Sequence, residues 1–114
     1  MVREVPFFRT SIDESDIERV AAVLRTNFLT TGPVVAELEQ LLASYTDTAA
    51  AVGVTSGTAA LHLSLIALGI GSGDEIITTP MSFVATSNAI VQAGARPVFV
   101  DVDAGTGNID ADRV

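Results

Sequence analysis

Thr55-Ser56-Gly57-Thr58 is the stretch of this sequence best equipped for chemistry, and the chemistry is anion binding. The four residues follow a short apolar run, residues 49–54, and precede TAALHLSLIAL, which reads as a helix apolar on nearly all sides. A turn from strand into helix exposes N–H groups without intrahelical partners at the positive end of the helix dipole. The hydroxyls of Ser56 and Thr58 add donors for an oxyanion such as phosphate. Gly57 lets the backbone approach that oxyanion with no side chain between them. Plain helix capping by Thr55 or Ser56 is the commoner use of such residues and stays open on spacing alone. Neither the GK[ST] ending of a P-loop nor the three-glycine dinucleotide fingerprint is present.

A second strand-to-helix junction is Pro80-Met81-Ser82-Phe83. Phe83 is expected to open a helix at the same sheet edge as Ser56, so that its ring lies across a planar ligand whose phosphate is held next door. A core phenylalanine or a hydrophobic staple is the alternative. Asp101 and Asp103 suit a metal or ribose site, but DVDAGTG also makes a turn without help. His62 stands on an apolar helix with no second histidine in the chain, which favours a packed histidine over a ligand or a catalytic base. The connector Thr30-Thr31-Gly32 is either a substrate loop or an ordinary helix–helix link. No metal site is expected.

These residues are placed by a simple order of elements. Ser11 and Glu14 form a capping-box pattern, and Ile17, Val20, Ala21 and Leu24 recur at helical spacing, which predicts a helix over residues 12–26 stopping at Asn27. Gly32-Pro33 suits the entry to a second helix whose apolar stripe is Val35, Leu38, Leu41, Leu42 and Tyr45. Residues 1–48 thus form an N-terminal helical segment. From residue 49 to residue 114 the texture is strand, turn, helix, with strands predicted over residues 49–54, 75–79 and 97–101 and one helix closed by Gly94. Short strands apolar on both faces, joined by helices, predict a parallel α/β sheet with flanking helices. Three strands are marginal for a sheet, and Asp110 caps a helix only four residues before Val114. A longer domain, of which residues 49–114 hold the first β-α units, is the expectation.

Composition narrows the classes. Hydrophobic residues make up 48% and charged residues 18% of the 114, which excludes a disordered chain. Fourteen acidic residues against six basic ones give a net charge of −8, a field that repels nucleic acid and anionic membrane surfaces. There is no cysteine, so disulfides, thiolate nucleophiles and sulfur-ligated metals are excluded. The N-terminus, MVREVPFFRTS, has too short an apolar run, with an arginine inside it, for a signal peptide or a membrane span, and a cytoplasmic protein is the expectation. All six basic residues are arginines, and lysine is absent.

VTSGTAALHLSLIALGIGSGDEIITTPMSFVATSNAIVQAGARPVFVDVD closely resembles the DegT/DnrJ/EryC1/StrS family of sugar aminotransferases. IDESDIERVAAVLRTNFLTTGPVVAELEQLLASY is similar to that family's N-terminal region. The resemblance implies the N-terminal part of the large domain of a fold type I transferase that depends on pyridoxal 5′-phosphate, a three-layer α/β/α body with a mostly parallel sheet. It implies that Gly57 and Thr58 contact the cofactor phosphate, that Ser56 opens the motif, and that Phe83 stacks on the pyridine ring. Ser82 stands where many relatives have threonine, which keeps the hydroxyl. Thr30, Thr31 and Gly32 match a segment near the substrate channel at a homodimer interface. The catalytic lysine, the aspartate that pairs with the pyridine nitrogen and most sugar-binding residues belong downstream, so no catalytic residue is assigned in these 114. The implied reaction moves an amino group from an amino acid, usually glutamate, to a nucleotide-linked keto-sugar. Family members with histidine in place of the lysine act as sugar dehydratases, and a non-catalytic nucleotide-binding or interaction module is the reading from a different class.

Overall fold

The computed structural model describes residues 5–114, which form two compact units, one ending at Gly53 and the other spanning Val54–Val114. The first unit holds helices α1, Glu14–Leu24, and α2, Pro33–Thr46. The capping box lies two residues beyond the expected Ser11–Glu14 pair. Asp13 Oδ1 accepts from the Asp16 N–H and Asp16 Oδ2 accepts from the Asp13 N–H, both at 3.1 Å. A carboxylate at each position makes the same reciprocal pairing and places negative charge on the helix dipole's positive end. The Ser15 hydroxyl, then the Asp16 N–H, hold the Asp13 carboxyl below the usual carboxylate range. At the other end α1 stops at Arg25, two residues before Asn27, where the Thr26 hydroxyl takes the Val23 carbonyl at 2.8 Å.

Pro33 occupies the first turn of α2 behind Gly32, as the sequence predicts. The helix ends on Asp47 in the left-handed region, a conformation aspartate tolerates better than most residues. The expected strand over residues 49–54 does not form. A strand needs a ladder partner for its N–H and C=O groups, and among the described residues none runs beside this segment. The Gly53 N–H instead donates to Glu39 Oε1 at 2.7 Å. None of the unit's described residues is buried, and Ile17, Val20 and Leu24 of α1 and Leu38, Leu41 and Tyr45 of α2 are exposed.

In the second unit α3, Gly57–Ala67, leads into β1, Glu75–Thr78; α4, Ala85–Gln92, then crosses to β2, Arg96–Phe99. The strands are parallel, with Glu75 opposite Arg96 and Thr78 opposite Phe99. The ladder continues through Arg96 N to the Asp74 carbonyl and Val100 N to the Thr78 carbonyl. Arg96 also pairs with the Glu75 carboxylate beside it. Both long helices end alike. Gly69 and Gly94 take positive φ of 77° and 87°, and the following N–H groups, of Ile70 and Ala95, return to the Leu65 and Ile90 carbonyls at 3.0 and 3.1 Å. This is the Schellman closure, which glycine enters without a Cβ penalty. The core sits where α4 meets the strands and α3: Ala89, Ile90, Ala93, Ala95 and Val100, with Thr78 the one buried polar side chain among the described residues.

A three-residue turn of 3₁₀ helix, Ala111–Arg113, follows Asp110, whose carboxylate accepts from the Asp112 N–H. Two of the three expected strands are thus present, and the α/β class with a parallel sheet and flanking helices stands.

Candidate functional site

Ser56 is the N-cap of α3. Its backbone is extended, its Oγ accepts from the Ala59 N–H at 3.1 Å, and its carbonyl accepts from the Ala60 N–H at 3.0 Å. Capping therefore consumes the Ser56 hydroxyl's acceptor capacity toward the helix. It leaves the N–H groups of Gly57 and Thr58, the first two of the helix, without an acceptor among the described residues. The capping and anion-binding readings are compatible here: the cap takes the Ala59 N–H and does not occupy those of Gly57 and Thr58.

Gly57 has ordinary backbone geometry for any residue, since the left-handed glycines lie elsewhere. A Cβ built on it meets nothing within 4 Å. Nothing inside this chain demands glycine at position 57, while the open space beside two free N–H groups has the form of a cradle. Between Arg25 and Arg96 the sequence has neither lysine nor arginine. No lysine or arginine near this point in sequence offsets the chain's net charge of −8, and the local positive potential is that of the helix start.

The second half of the candidate site follows β1. Because α3 runs into the start of β1 through a short loop, its own first turn lies toward the opposite, C-terminal end of the strand. Leu61, Ser64 and Leu65 of α3, Ile76–Thr78 of β1 and Thr86, Ala89 and Ile90 of α4 line one cavity between these elements. In open α/β sheets ligands bind outside the C-terminal strand ends, where the following helices start.

Phe83 does not open α4, contrary to the expectation. The helix begins at Ala85 behind Val84, and Phe83 sits in the bend before it, its carbonyl accepting from the Thr86 N–H at 3.0 Å. This turn uses the Phe83 carbonyl as a cap and keeps the residue off the helix surface. Phe83 is 79% exposed to solvent and packs into no core among the described residues.

The other candidates separate cleanly. Gly32 is fixed by its neighbours, since a Cβ there would come within 2.9 Å of the Phe28 carbonyl oxygen. Thr31 beside it has φ of 48°, a genuine strain for a β-branched residue. Thr30 is exposed in the same bend. Asp103 is a turn residue: its Oδ1 accepts from Thr106 N at 2.8 Å and Gly105 N at 3.2 Å. The Thr106 hydroxyl first, then the Thr106 N–H, keep its carboxyl below the usual range. Asp101 binds the Val102 N–H and faces Arg113 at 3.8 Å. No group of acidic and histidine side chains among the described residues could hold a metal. His62 is half-buried in α3.

Sequence reasoning missed Thr86, whose hydroxyl lies 3.2 Å from Ser82 Oγ. The signal available was two hydroxyl residues four apart across a predicted helix start. It also missed the strain at Thr31, for which a Thr-Thr-Gly run carries no sign.

The model of the DegT/DnrJ/EryC1/StrS aminotransferase family matches residues 10–114. A curated relative, the UDP-4-amino-4-deoxy-L-arabinose–oxoglutarate aminotransferase of Shewanella sediminis, is 53% identical over 100 residues, covering 88% of this chain and 26% of its own length. The sugar aminotransferase Spr1654 of Streptococcus pneumoniae, solved in its PMP form, superposes with a TM-score of 0.91 at 41% identity, over 97% of this chain and 28% of that one. The same enzyme in its PLP form gives 0.90 at 42% identity, over 96% and 28%. The chain therefore spans little more than a quarter of the length of these relatives.

Proposed function

Because the chain belongs to the DegT/DnrJ/EryC1/StrS aminotransferase family, we propose that it supplies the phosphate cup and ring platform of a pyridoxal 5′-phosphate-dependent sugar aminotransferase whose full-length form matches its relatives. The observation that carries this reading is the start of α3: two N–H groups without an acceptor among the described residues, beside a glycine whose Cβ position meets none of them within 4 Å. A phosphate fits that donor set. The cup faces a dianionic group with dipoles aimed along the helix axis and needs no cationic side chain.

Gly57 and Thr58 hold the phosphate through their N–H groups, with the Thr58 hydroxyl as a further donor. Ser56 accepts from the later N–H groups of the same turn, those of Ala59 and Ala60, and does not compete for these two. Phe83 offers an exposed ring face from the neighbouring loop, where it limits the tilt of a planar heterocycle and excludes water from one side. None of these residues moves a proton. When bound, the cofactor supplies the carbonyl that carries the amino group and the electron sink that makes the adjacent C–H bond acidic. A lysine is needed for the covalent and proton-transfer steps, and these 114 residues contain none.

The amino donor is an amino acid, glutamate first, and the acceptor is a nucleotide-linked keto-sugar. The names of the relatives support that substrate class. Thr30, Thr31 and Gly32 border the substrate channel, where a strained Thr31 backbone is the kind of feature functional loops retain. The protein acts as a homodimer in the cytoplasm; no helix among the described residues is long and apolar enough to cross a membrane.

The test is to supply the full-length protein with pyridoxal phosphate, glutamate and a panel of nucleotide-linked keto-sugars. The expected products are the sugar amine and 2-oxoglutarate in equal amounts. A dehydrated sugar without amine would overturn the transfer reaction in favour of the dehydratase, and failure to take up the cofactor would overturn the whole reading.

A further inference from the structure

An exposed ring has no packing to aim it. Among the described residues Phe83 is such a ring, at 79% exposure, and there its direction rests on how the main chain of residues 82 and 83 is held. Thr86 holds both. Its N–H donates to the Phe83 carbonyl at 3.0 Å, and its hydroxyl shares a hydrogen bond of 3.2 Å with Ser82 Oγ. One residue of α4 therefore grips the bend twice, once through its main chain and once through its side chain.

The anchor beneath is firm. Thr86 is half-buried on the first turn of α4, one turn before Ala89 and Ile90, the two most buried residues of the core. At the far side of the bend, Thr79 Oγ1 accepts from the Met81 N–H at 3.1 Å. Val84, the residue that caps α4, makes no side-chain cap of its own. The Ser82–Thr86 link spans the residue that carries the ring.

We propose that the Thr86 hydroxyl is a positioning group for the ring platform. Bonded to Ser82 Oγ, it fixes the backbone of residues 82 and 83 and with it the direction in which Phe83 meets a planar ligand. This rests on the cofactor reading of Phe83 given above. A hydroxyl that only stabilised α4 would leave the ligand's orientation untouched once the protein had folded.

The experiment uses the full-length protein with T86V, T86S, S82A, the S82A/T86V double variant and F83A. Two quantities are read for each: the Kd for pyridoxal phosphate and the visible circular dichroism of the bound cofactor, which reports how its ring sits in its surroundings. Valine keeps the shape of threonine and loses the hydroxyl, while serine restores it. T86V and S82A are each expected to weaken binding about threefold to tenfold, the range of one net hydrogen bond, and to reduce the dichroic band. T86S keeps the parent values, and the double variant is no worse than either single one, because both remove the same bond. Parent-like Kd and dichroism in T86V, or losses that add in the double variant, would overturn the proposal. Should T86V not fold, S82A on an exposed residue carries the same two outcomes. If F83A binds the cofactor as tightly as the parent, the ring-platform reading itself fails, whatever Thr86 does.

Discussion

Gly57→Ala separates the needs of the fold from the needs of the ligand. Within the chain an added Cβ meets nothing within 4 Å, and the backbone there is outside the left-handed region. Alanine at such a position costs the folded state nothing and narrows the unfolded ensemble, an effect worth about 0.4–1 kcal/mol in favour of folding. The cup is affected in the opposite sense. A methyl group placed between a helix start and a phosphate must be accommodated by displacement, and forcing an extra methyl into a fitted space costs about 1–3 kcal/mol. At roughly 1.4 kcal/mol per tenfold change, affinity falls by about fivefold to a hundredfold. The measurements are equilibrium dialysis of pyridoxal phosphate against the full-length G57A protein and thermal unfolding of its cofactor-free form. Expected are an unfolding temperature equal to or above the parent's and a clearly weaker Kd. Parent-like affinity would refute the phosphate cup at α3, and a large loss of cofactor-free stability would show that the glycine serves packing instead.

Gly94→Ala should behave oppositely, lowering stability by about 1–2 kcal/mol because an L side chain is forced into the left-handed region at φ 87°; urea unfolding should show a lower midpoint with an unchanged slope. Asp103 has a carboxyl held below its ordinary 3.8 by the Thr106 hydroxyl and then by backbone N–H groups. A depressed folded-state value means that these bonds contribute fully above the unfolded value and are lost as pH falls through the folded one. Amide exchange at Thr106 should therefore accelerate in acid beyond its intrinsic pH dependence, and D103N should abolish that pH-linked excess. The 114-residue chain by itself, lacking lysine, should give no internal adduct after borohydride treatment with pyridoxal phosphate, and no sugar amine with glutamate. Mass measurement showing a stoichiometric internal adduct would contradict it.

Much of this architecture was legible because local chemistry and tertiary structure agree. Gly32-Pro33, Ser56 and Gly94 each do what their residue types favour in isolation: helix entry, N-cap and C-terminal closure. The parallel pairing of residues 75–78 with 96–99 follows from two apolar runs separated by a helix. Residues 49–54 were misread because periodicity reports that a segment can be a strand, whereas a strand exists only when a neighbour completes its ladder. Phe83 was displaced from the helix start because its carbonyl, not its side chain, does the local work. At the start of α3, spacing alone left capping and anion binding as rivals; in the structure the Ser56 cap takes the Ala59 N–H, and the Gly57 and Thr58 N–H groups have no acceptor among the described residues.

The most direct test of the central claim is a crystal structure of the full-length protein with pyridoxal phosphate bound. The account predicts phosphate oxygens within hydrogen-bonding distance of the Gly57 and Thr58 N–H groups, with the pyridine ring against the face of Phe83. A phosphate bound away from the first turn of α3, with those two N–H groups facing only water or protein, would contradict it.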